Sequence, residues 1–340
     1  MAEVGAPVTM SDVARAAGVS TATVSRVVNG RYGVSATTIA QVRSAIEQLG
    51  YESSLVATSL RRSRTHVLGL VTRTFQSYTA EVLKGVMEAL RQSGFDLIIY
   101  ANSDLYETYL EGWEQRHLTR LSGTLTDGCI VVTPWGEVRS STPVVVIDPV
   151  KGSTVPSVTA DNLAGATSVV EHLLGLGHRR IGFIAGRPSL AASWSREEGY
   201  RGALAEAGVP VDPVLIGRGD FNPESAAPQA RALLDRADRP TAIFAASDGM
   251  ALKVLAVAEE LGLSVPGDLS VVGFDNIPES ALAGSGLTTV DQSMYQLGYE
   301  AARMLKSIVT GEWEGRRQIV LPTSLVVRGS TGPPRSTTGA

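Results

Sequence analysis

From Val67 onward, short apolar runs alternate with stretches of helical periodicity, and this alternation restricts the fold more than any other feature. VLGLV (67–71), DLIIY (96–100), GCIVV (128–132) and PVVVI (143–147) come first; RIGFIA (180–185), TAIFAA (241–246) and SVVGFD (270–275) follow. The runs are nearly continuous in apolar residues, as strands are when helices cover both faces of a parallel sheet. Strands that alternate with helices form βαβ units, so an α/β core of two doubly wound lobes is predicted over residues 67–330. At 340 residues the chain is long enough for both lobes and a further small domain.

That further domain is all-helical. Thr9-Met-Ser-Asp12 reads as a capping box opening a helix, with Met10, Val13, Ala14 and Ala17 on one face. Gly18 breaks it, and Ser20 caps a second helix carrying Val24, Val27 and Val28 inward, ended at Asn29-Gly30. Ser35 caps a third, with Ile39, Val42, Ile46 and Leu49 at helical spacing, stopped by Gly50. Two helices joined by a glycine-containing turn make a helix-turn-helix, assigned to residues 1–50. Residues 51–66 hold a helix of about two turns, too short to be stable alone in water. The segment 331–340, TGPPRSTTGA, has no apolar periodicity and is expected to be disordered.

Charge divides along the same boundary. Residues 1–65 carry seven Arg, no Lys and four acids, a net +3, so the rest of the chain carries −7 of the total −4. A basic head on an acidic body fits a DNA-reading module joined to something else. The single cysteine, Cys129, has no internal disulfide partner and no zinc-type spacing exists. No secretion signal and no run long enough to span a membrane are visible, so a cytoplasmic protein is expected. The four histidines, His66, His117, His172 and His178, lack metal-ligand spacing, and no phosphate loop or nucleophile elbow appears. Neither an enzyme nor a cofactor is expected.

The residues MSDVARAAGVSTATVSRVVNG (10–30) and VSATTIAQVRSAIEQLGY (34–51) resemble the LacI/GalR family of repressors. HLLGLGHRRIGFIAG (172–186), REEGYRGAL (196–204), VPGDLSVVGFDNIPES (265–280), LTTVDQS (287–293) and LPTSLVVRGS (321–330) resemble it too, so the likeness runs from about residue 9 to 330. It implies a periplasmic-binding-protein-like core, a homodimer, a palindromic double-stranded operator and a small-molecule effector, in most of the family a mono- or oligosaccharide. A co-repressed regulator sensing a nucleobase, or a sugar-binding protein that represses nothing, are the alternatives.

In a helix-turn-helix the second helix enters the major groove and its first residues meet base edges. Those are Thr21 and Ala22, with Arg26 one turn later able to bond guanine bidentately. Thr9, Ser11, Ser20, Asn29, Ser35 and Thr38 are placed for phosphates. By resemblance, residues 51–66 are a hinge helix that folds on the operator and drives Leu60, beside Ala57, into the minor groove. The family's usual Tyr-x-Pro-Asn is replaced here by Tyr51-Glu52-Ser53-Ser54.

For the effector, Arg196 is set just before a helical segment and matches the family's central ligand-binding arginine. Asp275 ends a strand, where open α/β sheets present ligand-binding residues. Phe221 matches a position that stacks on the ligand, and Ser247-Asp248 stands where Asn-Asp is more usual. The first-lobe loop departs further, reading Gln76-Ser77-Tyr78-Thr79. Tyr78, Trp194 and Asp161 complete the candidate set.

Overall fold

The computed structural model describes residues 8–28, 33–51, 64–102 and 112–335. They fall into two compact units, divided between Thr65 and His66.

The first unit contains α1 (Met10–Ala17), α2 (Thr21–Val28) and α3 (Ala36–Leu49). Each begins where the sequence supplies a cap. Asp12 N–H donates to Thr9 Oγ1 while Thr9 N–H donates back to the Asp12 carboxylate at 3.0 Å, the reciprocal pair of a capping box. Ser20 Oγ accepts from Thr23 N–H and Ser35 Oγ from Thr38 N–H, both at 3.2 Å. Gly18, at φ 65°, takes the left-handed turn that ends α1. Val13, Ala14, Val24, Val42 and Ala45 form the buried centre. Leu49, expected to point inward, is 37% exposed; Ala45, one turn earlier, lies on the inward stripe of α3 instead.

The second unit has two lobes. In the first, β1 (Val67–Thr72), β2 (Asp96–Ala101), β3 (Gly128–Val132), β4 (Val144–Ile147), β5 (Ser157–Ala160) and β11 (Gln318–Leu321) form a parallel sheet of order β11-β5-β4-β3-β1-β2. Strand alternation divides its buried residues between two faces. Leu68, Leu70, Ile130, Val132, Val145 and Ile147 pack with α4 (Ser77–Leu90) and α11 (Met294–Thr310). Val71, Cys129, Val131, Val144 and Val146 pack with α5 (Trp113–Leu121). Helices α4 and α11 touch backbone to backbone: a Cβ on Gly85 would come within 1.8 Å of the Tyr295 carbonyl oxygen, and one on Gly298 within 1.9 Å of that of Val82. Only glycine fits at either position.

The second lobe holds a parallel sheet of order β7-β6-β8-β9, from β6 (Ile181–Ala185), β7 (Ile216–Arg218), β8 (Ala242–Ala245) and β9 (Ser270–Val272). Around it lie α6 (Asn162–Gly175), α7 (Ala191–Glu206), α8 (Pro223–Leu234), α9 (Asp248–Glu260) and α10 (Pro278–Leu282). The chain crosses between lobes three times: β5 into α6, β10 (Thr289–Asp291) into α11, and β11 into β12 (Ser324–Val326). Strands β10 and β12 pair antiparallel.

The expectation of a disordered tail from residue 331 fails for its first half. Just before it, Val271 N–H donates to Ser330 O at 2.9 Å; within it, Gly332 N–H donates to Ser270 Oγ at 3.1 Å and Arg335 pairs with Asp268. Strand β9 is the edge of its sheet, and its open backbone and side-chain groups are met by this segment. Residues 336–340 are outside the described residues. No helix among the described residues is long and apolar enough to cross a membrane.

Candidate functional site

On the head, Val24 is fully buried, so the opposite face of α2 turns outward. That face carries Ala22 and Arg26, both exposed, and Thr21 is exposed at the helix's first position. Ser11 is exposed on α1. Thr9, Ser20, Ser35 and Thr38 are engaged locally: Thr9 Oγ1 lies 2.6 Å from the Asp12 carboxylate, Ser20 Oγ 2.9 Å from Thr23 Oγ1, and Ser35 Oγ 2.8 Å from Thr38 Oγ1. Asn29, and Ala57 and Leu60 of the expected hinge, lie outside the described residues.

In the core, the loops that follow the parallel strands converge between the lobes, where an open α/β sheet places its ligands. Arg196 sits inside α7 rather than before it, since that helix already begins at Ala191, and it is 3% exposed. Its Nε donates to Asn162 Oδ1 at 2.8 Å, Nη1 to the Ala246 carbonyl, and Nη2 to Gln292 Oε1 at 3.4 Å. Nη1 is also 3.5 Å from Asp275 Oδ1, which accepts a 2.6 Å bond from Gln292 Nε2. The guanidinium lies 3.7 Å from the Phe274 ring centroid and 5.5 Å from that of Phe221.

The network continues into the first lobe. Asn162 Nδ2 donates to Thr159 Oγ1 at 3.2 Å, Thr159 Oγ1 donates to Asp148 Oδ1 at 2.6 Å, and Tyr78 Oη donates to Asp148 Oδ2 at 2.7 Å. Asp148 and Asp275 both follow apolar strand runs and both have positive φ, 50° and 128°. Burial pushes the Asp275 carboxyl well above its ordinary range; Arg196 opposes this, while Asp248 and Asp148 add to it. Burial, reinforced by the Asp148 charge, also raises the Tyr78 phenol. The carboxyl groups of Asp148 and Asp275 offer acceptors and Arg196 offers donors, a combination suited to ligand hydroxyl groups.

The head and the core match separate family models. Residues 9–54 match "Bacterial regulatory proteins, lacI family", and residues 170–331 match "Periplasmic binding protein-like domain". The chain is 34% identical to the catabolite control protein A of Priestia megaterium over 95% of this chain and 99% of that one. The chain belongs to the lacI family. Another relative is the HTH-type transcriptional regulator DegA of Bacillus subtilis, 33% identical over 96% and 98% of the two chains. Among solved structures, the lac repressor dimer bound to operator and the anti-inducer ONPF superposes at a TM-score of 0.80, 28% identical over 96% and 100%. A complex of the transcriptional regulator CelR with cellobiose does so at 0.72, 34% identical over 95% and 99%. This lacI-family chain is therefore a DNA-binding transcriptional repressor with an effector-binding core, and its relatives are regulators rather than enzymes.

Not all of the core residues singled out from the sequence sit together. Arg196, Asp275 and Tyr78 share the network, and Phe221 borders it. Phe221 occupies a left-handed turn, φ 60°, with its ring against Gly186, where a Cβ would approach to 2.0 Å. Asp248 is fully buried and does not line the space: its carboxylate accepts from Thr289 Oγ1 at 2.5 Å and Ile277 N–H at 2.9 Å, holding the strand-end segment that carries Asp275. Burial pushes it up to about 6 despite those bonds. Ser247 Oγ caps α9 by accepting from Met250 N–H, and Asp161 Oδ1 caps α6 by accepting from Ala164 N–H at 3.1 Å. Trp194 is 46% exposed; its Nε1 donates to Pro188 O and Lys151 Nζ stands 3.5 Å over its ring, a position at the rim.

Four network members, Asp148, Thr159, Asn162 and Gln292, went unnoticed in the sequence. Asp148 carries the signal that identified Asp275, an acid directly after an apolar strand run: VVVID against VVGFD. Gln292 lies in a crossover between lobes, inside the LTTVDQS (287–293) stretch that carries the family likeness, but nothing in that stretch marks it as a partner of Arg196.

Proposed function

We propose that this repressor binds a palindromic operator as a homodimer and releases it when a neutral mono- or oligosaccharide occupies the cleft between the lobes. The observation that carries this reading is the buried chain of polar groups from Tyr78 through Asp148, Thr159, Asn162 and Arg196 to Asp275 and Gln292. It spans both lobes, so a ligand bonded to it has a differential affinity for the closed arrangement, the quantity that shifts a two-state equilibrium. Carboxylates accept from sugar hydroxyls, Arg196 donates to them, and Phe221 offers an apolar face to a pyranose ring. The cellobiose complex of the related CelR supports a sugar.

On the DNA side, Thr21, Ala22 and Arg26 read base edges. Ser11 and the capped helix ends near Thr9, Ser20, Ser35 and Thr38 meet phosphates, with Asn29 alongside. Residues 51–66 act as the hinge, with Leu60 as its minor-groove wedge beside Ala57. A twofold operator calls for at least a dimer.

The test is fluorescence anisotropy of the purified chain on the palindrome nearest its own gene, at fixed salt, across a panel of neutral sugars. Release by one sugar is expected. If no sugar acts and a nucleobase instead tightens binding, the regulator is co-repressed and the sugar assignment is wrong.

A further inference from the structure

A second contact joins the lobes away from the Arg196 network. Arg187 follows β6 in the second lobe, beside the Gly186 that receives the Phe221 ring. It is 8% exposed, and its Nη2 donates to two first-lobe carbonyls, Thr133 O and Pro134 O, both at 3.0 Å. Those carbonyls lie just beyond β3, and Thr133 takes a positive φ of 43°, unusual for a β-branched residue, that turns the chain there. The guanidinium stands 4.3 Å from the Trp135 ring centroid, and Arg73 stands 5.1 Å from the same ring. Arg73 is itself paired with Glu114 at 2.8 Å, both side chains under a tenth exposed, and Glu114 also accepts from Trp135 N–H at 3.2 Å.

Two explanations other than a bridge fail on charge and on geometry. The cluster holds two cations, Arg73 and Arg187, against the carboxylates of Glu114 and Asp220 that act on Arg187. It is electrically balanced and is not an anion site. Nor is Arg187 an ordinary core cation of its own lobe, because the protein groups its Nη2 bonds belong to the other lobe. We infer that Arg187 is a closure-setting residue: its guanidinium bridges the lobes at Thr133, Pro134 and Trp135, and so tunes effector response without touching the effector.

Opposed terms make the bridge reversible. Closing buries a cation, with Nε finding no hydrogen-bond partner among the described residues, and this favours release into water. Two charge-assisted bonds and the Trp135 face favour closure. Binding that needs the closed form weakens in proportion to the closed fraction, so removing the bridge raises the effector concentration needed for a response.

Nearby backbone bonds report closure directly. Lys151 N–H, of the first lobe, donates to Ser189 O, and Ala191 N–H, of the second, donates to Pro149 O, both at 3.0 Å. Hydrogen exchange of the full-length chain without added ligand therefore tests Arg187→Met, which keeps bulk and removes the donors, alongside Arg187→Ala. The expected result is exchange about tenfold faster at Lys151 and Ala191, the loss that one or two net hydrogen bonds imply, with Ile243 and Phe244 of β8 unchanged. Arg218→Ala, an exposed arginine of the same lobe, is the control. Unchanged exchange at Lys151 and Ala191 in the Met variant overturns the bridge. Equal loosening of β8 in that variant also overturns it, by making Arg187 a structural cation of its lobe. The outcome does not depend on the effector being a sugar, so failure here and failure of the sugar panel are distinguishable.

Discussion

The head and the core bury opposite things. The head closes on five small aliphatic residues, Val13, Ala14, Val24, Val42 and Ala45, and leaves its candidate recognition groups outside. The core has three apolar clusters large enough to surround a polar chain, and it holds Arg196, Asp148, Asp275 and Gln292 inside. A surface reader loses specificity when a side chain is cut and keeps its fold. A buried reader loses both, because the partners left behind are charged and cannot reach water.

Arg196→Ala is the most severe expected break on the core side. It strips the cation from Asp275 and the donors from Asn162, Ala246 and Gln292. Breaking a buried pair from one side costs roughly 3–5 kcal/mol, read as a lower midpoint in denaturant for the core transition. The effector response should vanish while operator affinity persists. A variant of wild-type core stability would place Arg196 in a solvated site and remove the contrast.

Val24→Ala tests the other side. Val24 is fully buried, in a centre that holds five buried residues among the described ones. Deleting two methyl groups costs roughly 1.5–2 kcal/mol at a well-packed site, a large share of what so small a unit holds. The head is expected to unfold at markedly lower denaturant while the core transition stays put. If both transitions move together, the two units are not independent. Arg26→Ala comes next: the fold is untouched, and discrimination between the operator and a site changed at one base pair falls by about 1–3 kcal/mol. Equal losses on both DNAs would make Arg26 a phosphate contact.

The same contrast explains what could be read from sequence. The head was legible almost residue by residue, because caps and turns are local: Thr9, Gly18, Ser20, Ser35 and Gly50 each act within a few positions. The seven apolar runs of the core were legible as strands; in six of them burial on both faces removes polar residues, while DLIIY is the partly exposed edge strand β2. Strands SVTA (157–160), IGR (216–218), TVD (289–291), QIVL (318–321) and SLV (324–326) are short, and most are polar in part. Their pairing partners are distant in sequence and supply the pattern they lack. The site divides in the same way. Asp275 and Arg196 match ligand-binding positions of the family, whereas Gln292, though inside the LTTVDQS stretch, is brought to them only by the crossover, and Asp248 looks like a ligand residue until Thr289 and Ile277 are seen to use its carboxylate.

Acidity separates the two regions by the smallest effect. The head holds no histidine, and its Asp12 carboxyl is held below the usual range first by its bonds to Thr9. A lowered carboxylate contributes stability that is lost only as pH falls through its folded value, below about 4, so between pH 7 and 5 this group leaves the head unchanged. In the core, groups titrate in opposite senses, with Asp248 and Asp275 raised by burial and His178, His117 and His172 lowered by it. Asp248, pushed up to about 6 by burial, binds its proton earlier in the folded chain than in the unfolded one, so acidification from pH 7 stabilises the core. His178 is buried between Thr241, Ser270 and Gly332, and burial lowers its value. The unfolded chain then takes up that proton first, and acidification destabilises. His117 and His172, lowered by burial as well, act in the same sense as His178. Comparing variants with the wild type isolates each group. Between pH 7 and 5, His178→Gln should lose less Tm than the wild type and Asp248→Asn should lose more, with the head transition fixed in all three. Parallel curves for the three proteins would mean that neither side chain changes its proton affinity on folding, and the buried network would then have to be carried in a wetter core than its burial indicates.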